Sequence, residues 1–244
     1  TFGNFDGNIN WNFKDSRINL DVDLHNDSLK LAEISGYINT NKKESTPLNL
    51  TLDLNEIPLN MIEPFMKGQV SHIQGKATGK VKILGDFIKP DFFGQPSIVN
   101  GGMTIEYLKT HYKFEDNLFF KNDTIAFKNI ALIDTLEKTK ANLNGYIRHS
   151  LFKNFYVDAT IDLNKTLLQN TKKEDNETYY GPIYATGNIN ITGPFEELVI
   201  HSDEVKSEKG TSITIPLDSE GAITKVDFIH FVEKDKMKND FETF

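Results

Sequence analysis

Six histidines, His25, His72, His111, His149, His201 and His230, are the first residues to test for chemistry, and they stand singly along the chain. A zinc site draws two ligands from one face at short spacing, as in HxH or HExxH, and neither pattern occurs. They read as surface or turn residues. Gly75-x-x-x-Gly79 and Gly79-x5-Gly85 have the glycine content of a phosphate loop, but they lie in alternating sequence and no Gly-Lys-Ser/Thr follows. Asp21 and Asp23 would share one face of a strand, where a carboxylate pair can hold a cation. No EF-hand spacing surrounds them, so they read as a solvated face. Ser150 and Ser202 directly follow His149 and His201, outside any G-x-S-x-G elbow. The absence of cysteine removes disulfides, thiolate zinc and cysteine nucleophiles. The chain therefore reads as a non-enzyme that needs no cofactor and no metal.

The elements carry more information than these scattered groups. "LNLTLDLNEIPL" alternates Leu48, Leu50, Leu52 and Leu54 with Asn49, Thr51, Asp53 and Asn55, the pattern of a strand with one apolar and one wet face. The same period of two runs through Ile18 to Leu24, Val81 and Ile83, Ile125 and Phe127, Val157 to Leu163, Ile189 and Ile191, Ile213 and Ile215, and Val226 and Phe228. Turn-like breaks fall at "HNDS", "NKKESTP", "FEDN" and "RHSLFKN". About fifteen strands of ordinary length result. Helical spacing is confined to Ile57–Met66, limited to one or two turns by Pro58 and Pro64, with Thr166–Asn170 a second single turn.

Composition narrows the class. The formal net charge is -8, with 27 Lys and Arg scattered among 35 acids, so the concentrated basic face of a nucleic-acid binder is missing. The longest apolar run, Ile130 to Ile133, is far below the ~20 residues that span a bilayer. Residue 1 is not Met, and the sequence reads as an excerpt, with any targeting segment outside it.

The chain also repeats itself. "GYI" at Gly36 recurs at Gly145, and at the same offset of 109 residues the Leu48–Leu54 alternation falls on Val157, Ala159, Ile161 and Leu163. One residue is then deleted, and "ATGKVKILG" at Ala77 matches "ATGNINITG" at Ala185. The organisation read from this is 1–33 preceding strands, 34–106 a first unit, 107–142 connecting strands, 143–217 a second unit, and 218–244 a last strand with a charged end. Gly75, Gly79 and Gly85, like Gly181, Gly187 and Gly193, share parity with apolar positions, and glycine there marks bulges or bends in a curling sheet. One apolar face per strand with no helix to roof it leaves a sandwich, a barrel or a lengthwise trough; stacked repeat units favour the trough.

"LNLTLDLNEIPLNMIEPFMKGQVSHIQGKATGKVKILGDFIKPDFFGQPSIVNGGMTI", with "LNGYIRHSLFKNFYVDATIDLNKTLLQN", "YYGPIYATGNINITGPFEELVIHS" and "GTSITIPL", resembles the TamB family of bacterial envelope proteins, in its Bacteroidetes-type form. The resemblance runs from about Ile34 to Phe231 and rests on G-x-A-x-G-x5-G, a following Pro and Gly, and the strand "NFYVDATIDL". It implies an all-β fold, a long curved antiparallel-rich sheet folded into a β-taco with an apolar interior. It also implies a periplasmic protein with an inner-membrane anchor beyond this excerpt. The expected partners are phospholipid acyl chains and an outer-membrane barrel of the TamA or BamA kind, with no nucleic acid. Two roles follow: a bridge conducting phospholipids between the membranes, or a scaffold for outer-membrane β-barrel assembly. The expected groove lining in the first unit is Leu48, Leu50, Leu52, Leu54, Val81 and Ile83. In the second it is Val157, Ile161, Leu163, Ile189 and Ile191. If each of fifteen strands advanced the stack by ~4.8 Å, the section would be roughly 70 Å long.

Overall fold

Alternation at period two over nearly the whole chain produces one antiparallel sheet of fifteen strands in the computed structural model, which describes residues 3–41, 46–66, 68–202 and 204–216. The expected last strand and charged end, 218–244, with Val226, Phe228 and His230, lie outside the described residues. The sheet begins as a plain meander of β1 (Asn4–Asn12), β2 (Arg17–Asn26), β3 (Leu29–Asn39), β4 (Leu48–Pro58) and β5 (Val70–Gly85). β6 (Pro90–Gly94) and β7 (Ser97–Ile105) then lie end to end along β5, with Pro90 against Gly85 and Ile105 against Val70. β8 (Thr110–Asn117) and β9 (Phe119–Asn122) return along them in the same way, interrupted only at Leu118. The meander continues through β10 (Thr124–Asp134), β11 (Lys140–Ser150), β12 (Lys153–Thr171) and β13 (Gly181–Pro194), and ends in β14 (Val199–His201) and β15 (Lys206–Ser207), which share β13.

Three pairs of short strands thus share a position, and fifteen strands fill twelve. At ~4.8 Å per step the described stack is roughly 50 Å long rather than 70 Å. "FEDN" is not a turn, as its spacing suggested, but the end of β8; the reversal falls earlier, at 106–109. Thr166–Asn170 is strand rather than helical turn. Lys165, at φ 51, opens a bulge that resets the register, after which β12 goes on pairing with β13 as far as Thr171. The single helical element among the described residues is a 3-10 turn, Leu59–Phe65, with Pro58 before it and Pro64 inside it, as the prolines required.

The sheet curls because its strands bend at matching places. Glu56 in β4 and Lys165 in β12 both adopt left-handed φ at bulges, and each donates its N–H to a threonine hydroxyl on the next strand. Thr78 accepts at 3.2 Å and Thr186 at 2.9 Å. These positions are related by the same 109- and 108-residue offsets as the sequence repeat. Gly36 and Gly145, also 109 apart, hold φ of 131° and 141°. A Cβ on either would stand 2.2 Å from a carbonyl oxygen of the adjacent strand, so only glycine permits that close approach.

Curling closes one side of the sheet on itself. The end of β12 passes beyond the β10–β11 hairpin to reach β8: Tyr112 donates to Leu167 O at 2.8 Å, Thr110 to Leu168 O at 3.1 Å, and Asn170 N to Leu108 O at 2.8 Å. The solvent-exposed β10–β11 turn is organised by Asp134, itself fully buried, which accepts from the backbone N–H groups of Leu136, Glu137 and Thr139 and from the Thr139 hydroxyl. Thr139 Oγ1 in turn accepts from Leu167 N at 2.9 Å, so every strand at this rim is tied to its neighbours. The main apolar cluster lies inside this curl, from Tyr112 and Phe127 through Leu132 and Val157 to Ile189; a smaller one surrounds Leu24, Leu31 and Ala32.

Candidate apolar groove

In an antiparallel sheet, directly paired residues point to the same face, so the register decides which side chains can form one surface. Val22, Ile34, Leu52 and Val81 stand opposite one another on β2 to β5. Gly94 and Phe120 carry the row across β6 and β9, and Ile125, Ile147, Val157 and Gly193 complete it on β10 to β13. The row crosses ten successive strand positions without a polar side chain. Parallel rows flank it: Leu50 pairs with Ile83 and Ile83 with Phe92, while Leu143, Ile161 and Ile189 face one another further along.

All eleven expected lining residues fall on this face. Leu48, Val81, Val157, Leu163 and Ile189 are buried; Leu50, Leu52, Leu54, Ile83, Ile161 and Ile191 are half-buried. Val157, Leu163 and Ile189 belong to the main cluster with Ile161 and Ile191 packed on it, and Leu52 and Leu54 pack on the smaller one. The interior is therefore a seam of contacting hydrocarbon, open in part, rather than an empty pipe. The opposite face of the same strands is polar: Thr160 donates to Asn190 at 2.9 Å, Tyr146 to Asp158 at 2.9 Å, and Lys80 pairs with Asp53 at 3.0 Å. Asp21 and Asp23 lie on that side, with Lys30 at 2.7 Å from Asp23 and 2.8 Å from Glu33.

Two cavities flank the groove at its rims, and neither is lined by the eleven residues. One of about 610 Å³ lies beside the 3-10 turn, between Asn60, Glu63, Ser71 and Glu106. There Ser71 sits between His72 and Glu106, bonding both; the hydroxyl, not the imidazole, occupies the centre, unlike the order of a nucleophilic relay. Lys109, 2.7 Å from Glu106, and the Ser71 hydroxyl hold that carboxyl below its usual range. The other cavity, about 390 Å³, lies at the opposite rim beside His149.

His149 corrects the sequence reading of the histidines as surface or turn residues. It is only 4% exposed, stacked on Phe152 at 4.4 Å and edge-on to Phe92 and Phe155, and burial pushes its pKa down. The signal was the aromatic spacing of Phe152 and Phe155 beside it, which alternation alone assigns to no partner.

No curated protein and no solved structure matches the chain. Residues 128–243 match the family model described as the TamB C-terminal domain. This match, over just under half of the chain, supports membership of the TamB family. The matched segment covers β11 to β15 and β10 from residue 128 onward, where most of the larger cluster lies. The match supports a TamB-like role in envelope lipid or protein transport. No helix among the described residues is long and apolar enough to cross a membrane, and no cluster of His, Asp or Glu among them has the makings of a metal site.

Proposed function

We propose that this chain is one section of a periplasmic bridge that conducts phospholipids between inner and outer membrane along its apolar face. The observation carrying this reading is the row from Val22 to Gly193, hydrocarbon or glycine at ten strand positions in succession. Stripping a 16-carbon tail from a bilayer into water would cost roughly 12 kcal/mol at ~0.8 kcal/mol per methylene. A continuous apolar surface removes most of that barrier. Because it is about as apolar as the bilayer, it does not trap the tail. Half-buried side chains such as Leu50, Leu52 and Ile161 part to admit the tail, and the headgroup stays at the rim. An anchor in the inner membrane and a TamA- or BamA-like barrel at the outer one complete the bridge, and no catalytic step belongs to it.

The test is transfer. The full protein, tethered between donor and acceptor vesicles, is expected to accelerate passage of tail-labelled phospholipid. No acceleration, together with retention of unfolded outer-membrane β-strands by the same protein, would replace the conduit with an assembly scaffold working through strand addition.

A further inference from the structure

We infer that the rim cavity beside His149 is a docking station for the phosphate-bearing, zwitterionic headgroup of a lipid whose tails occupy the groove; this rests on the conduit reading. The cavity is built by three neighbouring turns on one rim, β5–β6, β9–β10 and β11–β12, contributing Lys89, Asp123 and Leu151. Its apolar wall includes Phe92, which pairs with Ile83 and so continues the row of Leu50 and Ile83 on the inner face. A headgroup held there leaves its tails directly on the groove.

Its polar wall is incomplete as it stands. Phe152 N donates to His149 Nδ1 at 3.3 Å, which puts the proton of the neutral ring on Nε2. Nε2 is buried and has no hydrogen-bond partner, an arrangement proteins rarely tolerate without a ligand or water to accept from it. Lys89 and Asp123 line the same cavity, yet they form no ion pair with each other or with any other described residue. An unpaired cation, an unpaired anion and an N–H donor fit a ligand with an anionic oxygen at one end and a cation at the other. A phosphate would take Lys89 and His149, and an ammonium would take Asp123.

The backbone holds this arrangement under strain. Ser150 pairs with Lys153, so Leu151 and Phe152 form a two-residue hairpin turn, both at left-handed φ of 51° and 55°. Asn-Gly is the sequence that suits such a turn. Leu and Phe in its place keep Phe152 stacked on His149 and Leu151 on the cavity wall, the kind of local cost found where structure serves binding.

The test loads the full protein from vesicles carrying phosphatidylethanolamine, phosphatidylglycerol or diacylglycerol with identical acyl chains. Phosphatidylethanolamine is expected to load about tenfold better than diacylglycerol, the worth of a charge-assisted contact. K89Q and H149F, the latter keeping the ring stack, are expected to collapse that preference. D123N is expected to erase the discrimination between phosphatidylethanolamine and phosphatidylglycerol. Lys89 is exposed and Asp123 half-buried at turns, so the charge-removing variants fold. Equal loading of all three lipids by the unaltered protein would overturn the headgroup station and leave the conduit standing. Loading of none would overturn both. Tailless glycerophosphoethanolamine or inorganic phosphate binding as tightly as the lipid would assign the cavity to a free solute instead.

Discussion

Leu52→Gln tests whether the apolar row is a path. Leu52 faces Ile34 on one side and Val81 on the other, with Leu50 and Leu54 before and after it on the same face, so no neighbouring side chain in the row offers its amide a partner. A glutamine there can reach water while the groove is empty, but an acyl chain sliding over it must strip that water away. Desolvating an unpaired amide costs about 1–3 kcal/mol. At 1.36 kcal/mol per decade, each passage slows by a factor between about 5 and about 160. The fold survives, because Leu52 is half-buried and the exchange loses about 1 kcal/mol of apolar burial. Thr51→Gln is the control: the same new side chain one residue away on the polar face, between Ser35 and Lys82. Transfer of tail-labelled phospholipid between tethered vesicles is the assay, with urea melts to confirm folding. Unchanged transfer in L52Q, or equal slowing in T51Q, would refute the path.

Gly145→Ala should lower stability by about 2–5 kcal/mol in urea unfolding, since its Cβ would meet Asp158 O at 2.2 Å in a backbone conformation alanine resists, whereas Gly68→Ala, with open space around it, should cost about 1 kcal/mol. Asp134→Ala should cost about 2–3 kcal/mol, because four donors of the β10–β11 turn lose their buried acceptor together. Burial depresses the pKa of both His149 and His111 below 6.5, so the unfolded chain binds protons first: stability should be flat above neutrality and fall as pH drops through about 6.5, and His149→Phe should shallow that fall. An unchanged slope in the variant would show that His149 does not titrate with unfolding.

The face of each strand was legible in the sequence because alternation at period two states parity directly: Leu48 to Leu54 and Val157 to Leu163 share one surface, as the register has it. Glycine bends were legible at Gly75, Gly79 and Gly85 and at Gly181, Gly187 and Gly193, all at positive φ, whereas those at Gly36 and Gly145 were not, although the repeat linked the two. Strand count per position was not. The break at Gln95 and Pro96 splits one long strand into β6 and β7 without moving the sheet onward, and alternation cannot distinguish a split strand from a hairpin. The bulge at Lys165 was hidden for a similar reason: its left-handed residue is a lysine, which announces no bend, and the strand continues past it with Thr166 and Leu167 buried together. The His149 cluster depends on Phe92, more than fifty residues earlier, and on the curl that brings the two turns together.

A photo-crosslinking side chain at Leu52 and at Ile161, inner positions on β4 and β12, compared with Asp53 and Asp162 beside them on the outer face, measures in cells what occupies the groove. Phospholipid captured at both inner positions and at neither outer one is the predicted result. Protein captured at Leu52 and Ile161 without lipid, or lipid captured equally on both faces, would contradict it.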